Sequence, residues 1–227
     1  MSMKRITVLL AEDHLIVREG FRSLLKHERD IEVVAEAETG RQAVQLTRKL
    51  RPAVVVMDIA MPLLNGLEAT RQIRRDFPDT KVLILSAHSD DAYVEQMTEL
   101  GAAGFLLKQT SSDALATAIR EVQKGNKFFS PAIAKRLNRS EQKSLNRRGQ
   151  LKKRINRLSS REVEVLQLIA EGQPNKQVAA ELGVSFKTID KHRQHLMAKL
   201  NIHDVAGLTR YAISAGIIES SVQVTIV

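Results

Sequence analysis

Short apolar runs alternate with longer amphipathic segments through about the first 125 residues of this 227-residue chain, and this alternation limits its possible folds more than any other feature. The apolar runs are rich in Val, Ile and Leu, as buried strands are. Apolar strands separated by helices indicate a parallel sheet covered on both faces. We therefore predict an α/β, doubly wound domain with five parallel strands. The predicted strands are Ile6–Ala11, Ile31–Ala37, 53–57, Lys81–Ser86 and Gly104–Leu107, and the predicted helices are 14–27, 41–50, 67–77, 91–100 and Ser112–Gln123.

Polar side chains occur at the ends of four of these predicted strands. Glu12 and Asp13 follow the first strand, and Asp58 follows the third. Ser86 ends the fourth strand, and Lys108 follows the fifth. Because ligands bind beyond the carboxyl ends of the strands in a doubly wound sheet, we expect these side chains to lie close together. Each has an ordinary explanation when taken alone, such as a helix cap, but their joint occurrence favours one shared site.

The chemistry of this predicted site follows from its charges. Three neighbouring carboxylates repel one another unless a cation neutralises them, and Mg²⁺ prefers oxygen ligands of this kind. Beside such an ion, Asp58 can act as a carboxylate nucleophile towards a phosphoryl group. Lys108 and the Ser86 hydroxyl would hold the phosphoryl oxygens, since phosphoryl transfer depends mainly on positioning and charge neutralisation.

Charge is distributed unevenly along the chain, which carries a formal net charge of +9. Residues 1–120 have a balance of −1 and residues 121–227 a balance of +10, which suggests a neutral module joined to a part that meets polyanions. Ten basic residues and one acid lie between 135 and 157, whereas residues 158–227 hold seven of each sign. The basic segment is predicted to be a partly helical linker, either a solvated spacer or a segment that contacts DNA phosphates.

Composition excludes several classes of protein. The chain has no cysteine, so disulfides, thiolate metal sites and cysteine catalysis are excluded. No apolar run approaches the roughly 18 residues that a membrane span needs, and the N-terminus lacks a signal-peptide pattern. We therefore expect a cytoplasmic protein without a membrane partner.

The last 70 residues are predicted to form four short helices. Ser159 and Glu162 have the spacing of a capping box before the first helix, and Gly172 ends that helix. A second helix over 175–182 is followed by Gly183, which suits a left-handed turn residue, and then by a third helix over Phe186–Leu200. A helix, a short glycine-containing turn and a second helix make a helix-turn-helix motif.

The third helix has two faces. Phe186, Ile189, Leu196 and Leu200 are predicted to point inward. A polar outer face of this kind suits the major groove of DNA, although a merely solvated face is the alternative that spacing alone leaves open. The outer face comprises Lys187, Asp190, Lys191 and Gln194, and the residues at helix starts that could meet phosphate are Asn175, Lys176 and Thr188.

Four segments, VLLAEDH, VVVMDIAMPLLNGLE, LILSAHSDD and GAAGFLLK, resemble the receiver domain of bacterial two-component response regulators over residues 4–125. The resemblance implies a flavodoxin-like fold and a phosphoryl group transferred to Asp58 from a phosphohistidine of a sensor histidine kinase. It also implies an Mg²⁺ cofactor. The implied ligands are Glu12, Asp13, Asp58 and the backbone carbonyl of Ala60.

The same resemblance assigns further roles around the phosphoacceptor. Ser86 and Phe105 match a switch pair, in which the hydroxyl moves onto a phosphoryl oxygen and the aromatic ring turns inward. Lys108 matches the phosphate-binding lysine of the family. Gln109 departs from the family, in which proline usually follows this lysine. An aspartyl phosphatase would need a second Asp where Ala60 stands, so we expect no enzyme beyond the domain's own phosphoryl transfer and autodephosphorylation.

The segment from LSSREVEVL to HLMAKL resembles the LuxR-type helix-turn-helix, and its pairing with a receiver is typical of the NarL/FixJ group of response regulators. The resemblance implies sequence-specific binding to double-stranded DNA. Asp190 is unusual at a groove, where it could accept a hydrogen bond from cytosine N4. The implied DNA contacts are Asn175, Lys176, Ser185, Lys187, Thr188, Asp190, Lys191, His192 and Gln194.

A fourth helix over 204–215 carries Val205, Leu208 and Ala212 along one stripe, which belongs either to the core or to a dimer seam. The predicted domains are a receiver over 1–130, a linker over 131–156 and a DNA-binding domain over 157–227. Phosphorylation is expected to control DNA binding, either by unmasking the third helix or by promoting a homodimer. The alternatives are a DNA-binding regulator that works without phosphorylation, which Gln109 leaves open, and a receiver fused to an RNA-binding module, which the pattern of the third helix disfavours.

Overall fold

The computed structural model describes residues 5–87, 100–109, 111–130, 133–134 and 158–218. The chain divides into two compact units, with the division between residues 147 and 148. The predicted helix over 91–100 and the predicted linker over 131–156 lie almost entirely outside the described residues. Within the described residues, no helix is both long and apolar enough to cross a membrane.

The described part of the first unit contains a parallel sheet of six strands. The strands are β1 Ile6–Ala11, β2 Ile31–Ala37, β3 Val54–Asp58, β4 Lys81–Ser86, β5 Gly104–Leu107 and β6 Phe128–Phe129. Their order in the sheet is β2-β1-β3-β4-β5-β6. The sixth strand was not predicted, because two residues are too few to show a pattern. β3 also begins and ends one residue later than predicted, so that Asp58 is its last residue and not the residue after it.

Helices cover both faces of this sheet. Alternate residues of β1 and β3 point to opposite faces, so both faces of each strand are buried and the strand reads as a continuous apolar run. The helices are α1 Leu15–Lys26, α2 Gly40–Leu50, α3 Gly66–Asp76 and α4 Ser112–Gln123. Leu9 and Val55 lie in the cluster shared with α2 and α3, whereas Leu10 and Val56 lie in the cluster shared with α1 and α4.

The second unit is helical and agrees with the predicted helix-turn-helix. Ser159 and Glu162 form the predicted capping box, and Gly183 has the predicted left-handed conformation, with φ of 63°. The core contains Val165, Ile189 and Leu196. The helices are α5 Ser160–Ala170, α6 Asn175–Glu181, α7 Phe186–Leu200 and α8 Val205–Ser214.

One prediction about side-chain orientation in this unit is wrong, and one alternative that the sequence left open is decided. Phe186 is 57% exposed, because it is the first residue of α7 and the helix there has no earlier turn to shield it. Leu208 and Ala212 are completely buried within the protomer, so they close its core and cannot also line a seam with a second copy. Val205 alone of the three proposed seam residues is exposed, at 43%.

Candidate functional site

The carboxyl ends of β1, β3, β4 and β5 bring the predicted site residues to one edge of the sheet. Asp58 ends β3, Ser86 ends β4, and Lys108 follows β5. The pairing of β4 with β5 places Ser86 opposite Leu107, and the Lys108 N–H donates a hydrogen bond to the Ser86 carbonyl oxygen at 2.9 Å. This main-chain bond sets the starting direction of the Lys108 side chain.

Lys108 joins the acidic residues of two strands. Its ammonium nitrogen lies 2.7 Å from Glu12 Oε2 and 3.0 Å from Asp58 Oδ2. Glu12 and Asp58 are each only 3% exposed, so one ammonium group compensates two buried carboxylates. Burial alone would lower the pKa of Lys108, but the charges of Asp58 and Glu12 raise it overall.

Asp58 has an unusual environment for a carboxylate. Its Oδ1 accepts a hydrogen bond from the Ile59 N–H at 2.8 Å. Burial, and after it the neighbouring charge of Glu12, raises the pKa of Asp58 to about 7 against the opposing effects of Lys108 and of the Ile59 N–H. A strongly shifted carboxyl group beside a defined charge partner is typical of a functional site.

The donor set fits a hard divalent cation. Glu12 Oε2, Asp13 Oδ1 and Asp58 Oδ2 are buried oxygens that lack a hydrogen-bond partner of good geometry, although Lys108 or His14 lies at ion-pair distance from each. Oxygens in this condition are suitable ligands for Mg²⁺. In the described part of the chain, the ligand atoms of Glu12, Asp13 and His14 all lie within 4.8 Å of one another.

His14 was not predicted to lie in this cluster. Its Nδ1 lies 2.9 Å from Asp13 Oδ1 and 3.2 Å from Glu12 Oε1. The charge of Asp13 raises the pKa of His14, and Glu12 adds to the increase. The sequence signal was the position of His14 directly after two acids, which the strand-end pattern did not include.

The remaining predicted residues occupy positions around this edge. Phe105 is buried in the cluster that contains Met57 and Ile84, so its ring points inward. Ala60 is half-buried in the loop after β3, and Gln109 is exposed. Gly66 starts α3 and donates its N–H to the Ile59 carbonyl oxygen at 2.8 Å, which brings the helix start against the phosphoacceptor strand.

A second candidate site is the outer surface of α7. Lys187, Lys191 and Gln194 are exposed, while Asp190 is half-buried and accepts a hydrogen bond from Gln194 Nε2 at 3.2 Å. These four residues lie on one face of the helix, as the spacing predicted. His192 is half-buried on the flank of the face.

Other predicted DNA contacts also have structural roles. Ser185 Oγ accepts the Thr188 N–H at 3.1 Å as the cap of α7, and the two hydroxyl groups lie 2.8 Å apart. Asn175 Oδ1 accepts a hydrogen bond from Arg193 Nη1 at 3.0 Å, which joins the start of α6 to α7. Arg193 was missed because a residue that contacts another helix has no local signal. Lys176 is exposed.

Comparisons with known proteins identify the family of each of the two domains. The response regulator receiver domain profile matches residues 8–120, and the profile of bacterial regulatory proteins of the luxR family matches residues 156–212. The chain is 37% identical over 215 residues to the transcriptional regulatory protein DegU of Brevibacillus brevis, covering 90% of this chain and 91% of DegU. It is also 37% identical over 217 residues to the oxygen regulatory protein NreC of Staphylococcus carnosus, covering 93% and 99% of the two chains.

Solved structures of response regulators also align with this chain. The RcsB response regulator of Salmonella typhimurium aligns with a TM-score of 0.57 and 28% identity, covering 93% of this chain and 100% of the RcsB chain. A complex of RcsB with DNA aligns with a TM-score of 0.57 and 29% identity, covering 93% of this chain and 99% of that chain.

Proposed function

This chain belongs to the two-component response regulators that join a receiver domain to a LuxR-type DNA-binding domain, and on that premise we propose that phosphorylation of Asp58 controls its binding to DNA. Members of this family are DNA-binding transcription regulators and not metabolic enzymes. The observation that carries the proposal is the buried cluster in which Lys108 contacts the carboxylates of both Glu12 and Asp58.

The proposed chemistry is transfer of a phosphoryl group from a phosphohistidine of a sensor histidine kinase. A carboxylate oxygen of Asp58 forms the new P–O bond, the P–N bond breaks, and the kinase imidazole leaves. Asp58 Oδ1 accepts a hydrogen bond from the Ile59 N–H, which fixes the orientation of the carboxylate. Lys108 already lies 3.0 Å from Oδ2, so it can neutralise the phosphoryl group without a large movement.

Glu12, Asp13, Asp58 and the backbone carbonyl of Ala60 are the proposed Mg²⁺ ligands. The bound ion would neutralise charge on the transferring phosphoryl oxygens. Glu12 also holds Lys108 at 2.7 Å, so the same carboxylate would orient the ammonium group towards the phosphoacceptor.

Phosphorylation of the wild-type protein and of Asp58→Asn tests the proposal directly. With Mg²⁺ and a small phosphodonor such as acetyl phosphate, the wild-type protein should gain one phosphoryl group by intact-mass measurement, and Asp58→Asn should gain none. The amide has neither the charge nor the nucleophilic oxygen of the carboxylate. Asp79→Asn is the matched control, because Asp79 is an exposed acid outside the site. Equal phosphorylation of wild-type protein and Asp58→Asn would contradict the assignment.

The proposed response to phosphorylation uses Ser86 and Phe105. Ser86 is buried at the end of β4, from which its hydroxyl would move onto a phosphoryl oxygen, and the buried Phe105 ring would fill the space behind it. A phosphoryl group adds a charge of about −1.5 to −2 at this edge. This charge would shift the equilibrium between two conformations of the nearby protein surface. An unchanged DNA affinity after phosphorylation would favour a regulator that works without it.

The proposed DNA-reading surface is the outer face of α7. Lys187 and Lys191 would contact phosphates or base edges, and the bonded pair of Asp190 and Gln194 presents both acceptors and donors to a groove. Ser185, Thr188, Asn175, Lys176 and His192 are proposed as flanking contacts. The proposed domains are a receiver over 1–130, a linker over 131–156 and a DNA-binding domain over 157–227.

Asp190→Ala is expected to relax base preference more than it weakens affinity, because a groove acid repels phosphates while it accepts a hydrogen bond from one base. Discrimination at one operator position should fall by about 1–3 kcal/mol. Sites selected from a random DNA library and their single-base variants provide the measurement. Lys191→Ala is the comparison. It should lower the affinity for all the DNA variants equally and reduce the slope of log K against log salt concentration by about one. A uniform change for Asp190→Ala would contradict its role.

We also propose that the protein acts as a homodimer on DNA. RcsB is described as binding DNA in dimers, and a two-fold dimer reads two half-sites. Two large apolar side chains of α8 are exposed, Val205 and Ile213, and they lie eight residues apart and so on one side of the helix. Of the stripe of Val205, Leu208 and Ala212, only Val205 belongs to this face, since the other two residues lie in the core of the protomer.

A further inference from the structure

Arg18 in α1 is a buried arginine that contacts the main chain of Glu12 and Asp13, the two acidic residues after β1. It is 5% exposed, and its Nη1 donates a hydrogen bond to the Glu12 carbonyl oxygen at 2.7 Å. The same nitrogen lies 3.5 Å from the Asp13 carbonyl oxygen. Arg18 therefore holds the main chain of both acidic residues while leaving their carboxylates free for other partners.

The other nitrogens of Arg18 fix its position. Nε donates to Glu36 Oε2 at 3.2 Å, and Nη2 donates to Glu38 Oε1 at 2.8 Å. Glu36 belongs to β2, and Glu38 follows that strand directly. The Glu12 N–H adds a hydrogen bond to the Ala37 carbonyl oxygen at 2.9 Å. The loop after β1 is thus attached to the end of β2 through one guanidinium group and one main-chain bond.

We infer that Arg18 is a positioning residue that sets the direction of the Glu12 and Asp13 carboxylates and thereby the affinity of the site for a divalent cation. This inference rests on the proposed function. Only a guanidinium group offers five donors in a rigid planar fork, so it can bind one carbonyl and two carboxylates at once. Lysine at this position would keep the charge but could not maintain all three directions.

The test is the affinity of the full-length protein for divalent cations. Isothermal titration calorimetry measures the binding of Mg²⁺, and electron paramagnetic resonance measures the binding of Mn²⁺. Loss of a residue that orients metal ligands typically weakens binding by about 10- to 100-fold, and Arg18→Met should raise the dissociation constant within this range. Arg22→Met is the matched control. Arg22 is one turn further along α1, is 65% exposed in its side chain and pairs with Glu36 at 3.1 Å, so its loss should change the constant by less than twofold.

A second readout separates positioning from a general loss of structure. In phosphorylation by acetyl phosphate, Arg18→Met should need at least tenfold more Mg²⁺ for half-maximal rate, while the rate at saturating Mg²⁺ stays within threefold of wild type. Arg18→Lys should retain the helical circular dichroism of the wild-type protein and show the same increase in Mg²⁺ requirement. Equal Mg²⁺ affinity of wild type, Arg18→Met and Arg18→Lys would overturn the inference, as would a lower rate at saturating Mg²⁺ with unchanged affinity.

The same measurements separate this inference from the proposed function. If the wild-type protein binds no divalent cation and gains no phosphoryl group, the proposed function itself fails. If the wild-type protein does both and the Arg18 variants match it, only the positioning role fails.

Discussion

Replacement of Gly66 by alanine is expected to destabilise the first unit by about 3 kcal/mol and to lower the rate of Asp58 phosphorylation by about 100-fold. A Cβ atom at Gly66 would overlap the carbonyl oxygen of Asp58 and come within 2.9 Å of its carbonyl carbon. Both obstacles are main-chain atoms of a buried strand, so no side-chain rotation relieves them. Either α3 moves away from β3 or the phosphoacceptor itself is displaced.

Urea unfolding followed by circular dichroism and phosphorylation by acetyl phosphate measure the two effects. Gly20→Ala is the matched control, because Gly20 lies within α1 and an added Cβ would meet nothing within 4 Å. This control should raise the free energy of unfolding by about 0.5–1 kcal/mol, since alanine is the better helix former. A Gly66→Ala variant with wild-type stability and rate would show that the contact between α3 and β3 is loose.

Lys108→Met is expected to lower the free energy of unfolding at pH 8 by about 3–5 kcal/mol, because removal of one partner leaves buried charge uncompensated. Lys108 contacts both Glu12 and Asp58, and it opposes the rise of the Asp58 pKa to about 7. Without it, the pKa of Asp58 must rise further. The folded variant then holds a proton that the unfolded chain has released, so its stability should increase as the pH falls from 8 towards 5.

Urea unfolding without divalent cations, repeated between pH 5 and pH 8, measures this effect. The wild-type protein should show the same trend in a weaker form, with stability lost as the pH rises from about 4 to about 7. Lys127→Met is the control, because Lys127 is an exposed lysine elsewhere in the same unit. A Lys108→Met variant whose stability does not depend on pH would contradict the assigned charge coupling.

The alternation of strand and helix was readable from the sequence because burial on both faces of a parallel sheet leaves a strong local pattern. Four of the five predicted strands have the bounds of the structure, and the polar residues at their ends lie at one edge. Parallel strands make this outcome nearly automatic, since their carboxyl ends share an edge. The two-residue strand β6 left no such pattern.

Contacts between elements distant in the sequence could not be predicted from sequence patterns. Arg18 looks like an ordinary polar residue of an amphipathic helix, yet its partners lie in the loop after β1, in β2 and directly after β2. The predicted inward orientation of Phe186 was wrong because helical periodicity does not show that the first residue of a helix lacks a preceding turn to cover its side chain. Leu208 and Ala212 showed the apolar stripe of α8, but a stripe alone does not distinguish a core from a seam.

The complete burial of Leu208 and Ala212 has a practical consequence for α8. One side of this helix finishes the interior of its own protomer, so only Val205, Ile213 and their neighbours remain for association with another copy. Folding and self-association therefore draw on separate surfaces. Polar residues introduced at positions 205 and 213 should yield a well-folded monomer. Binding of one protomer to a single DNA half-site can then be measured with this monomer.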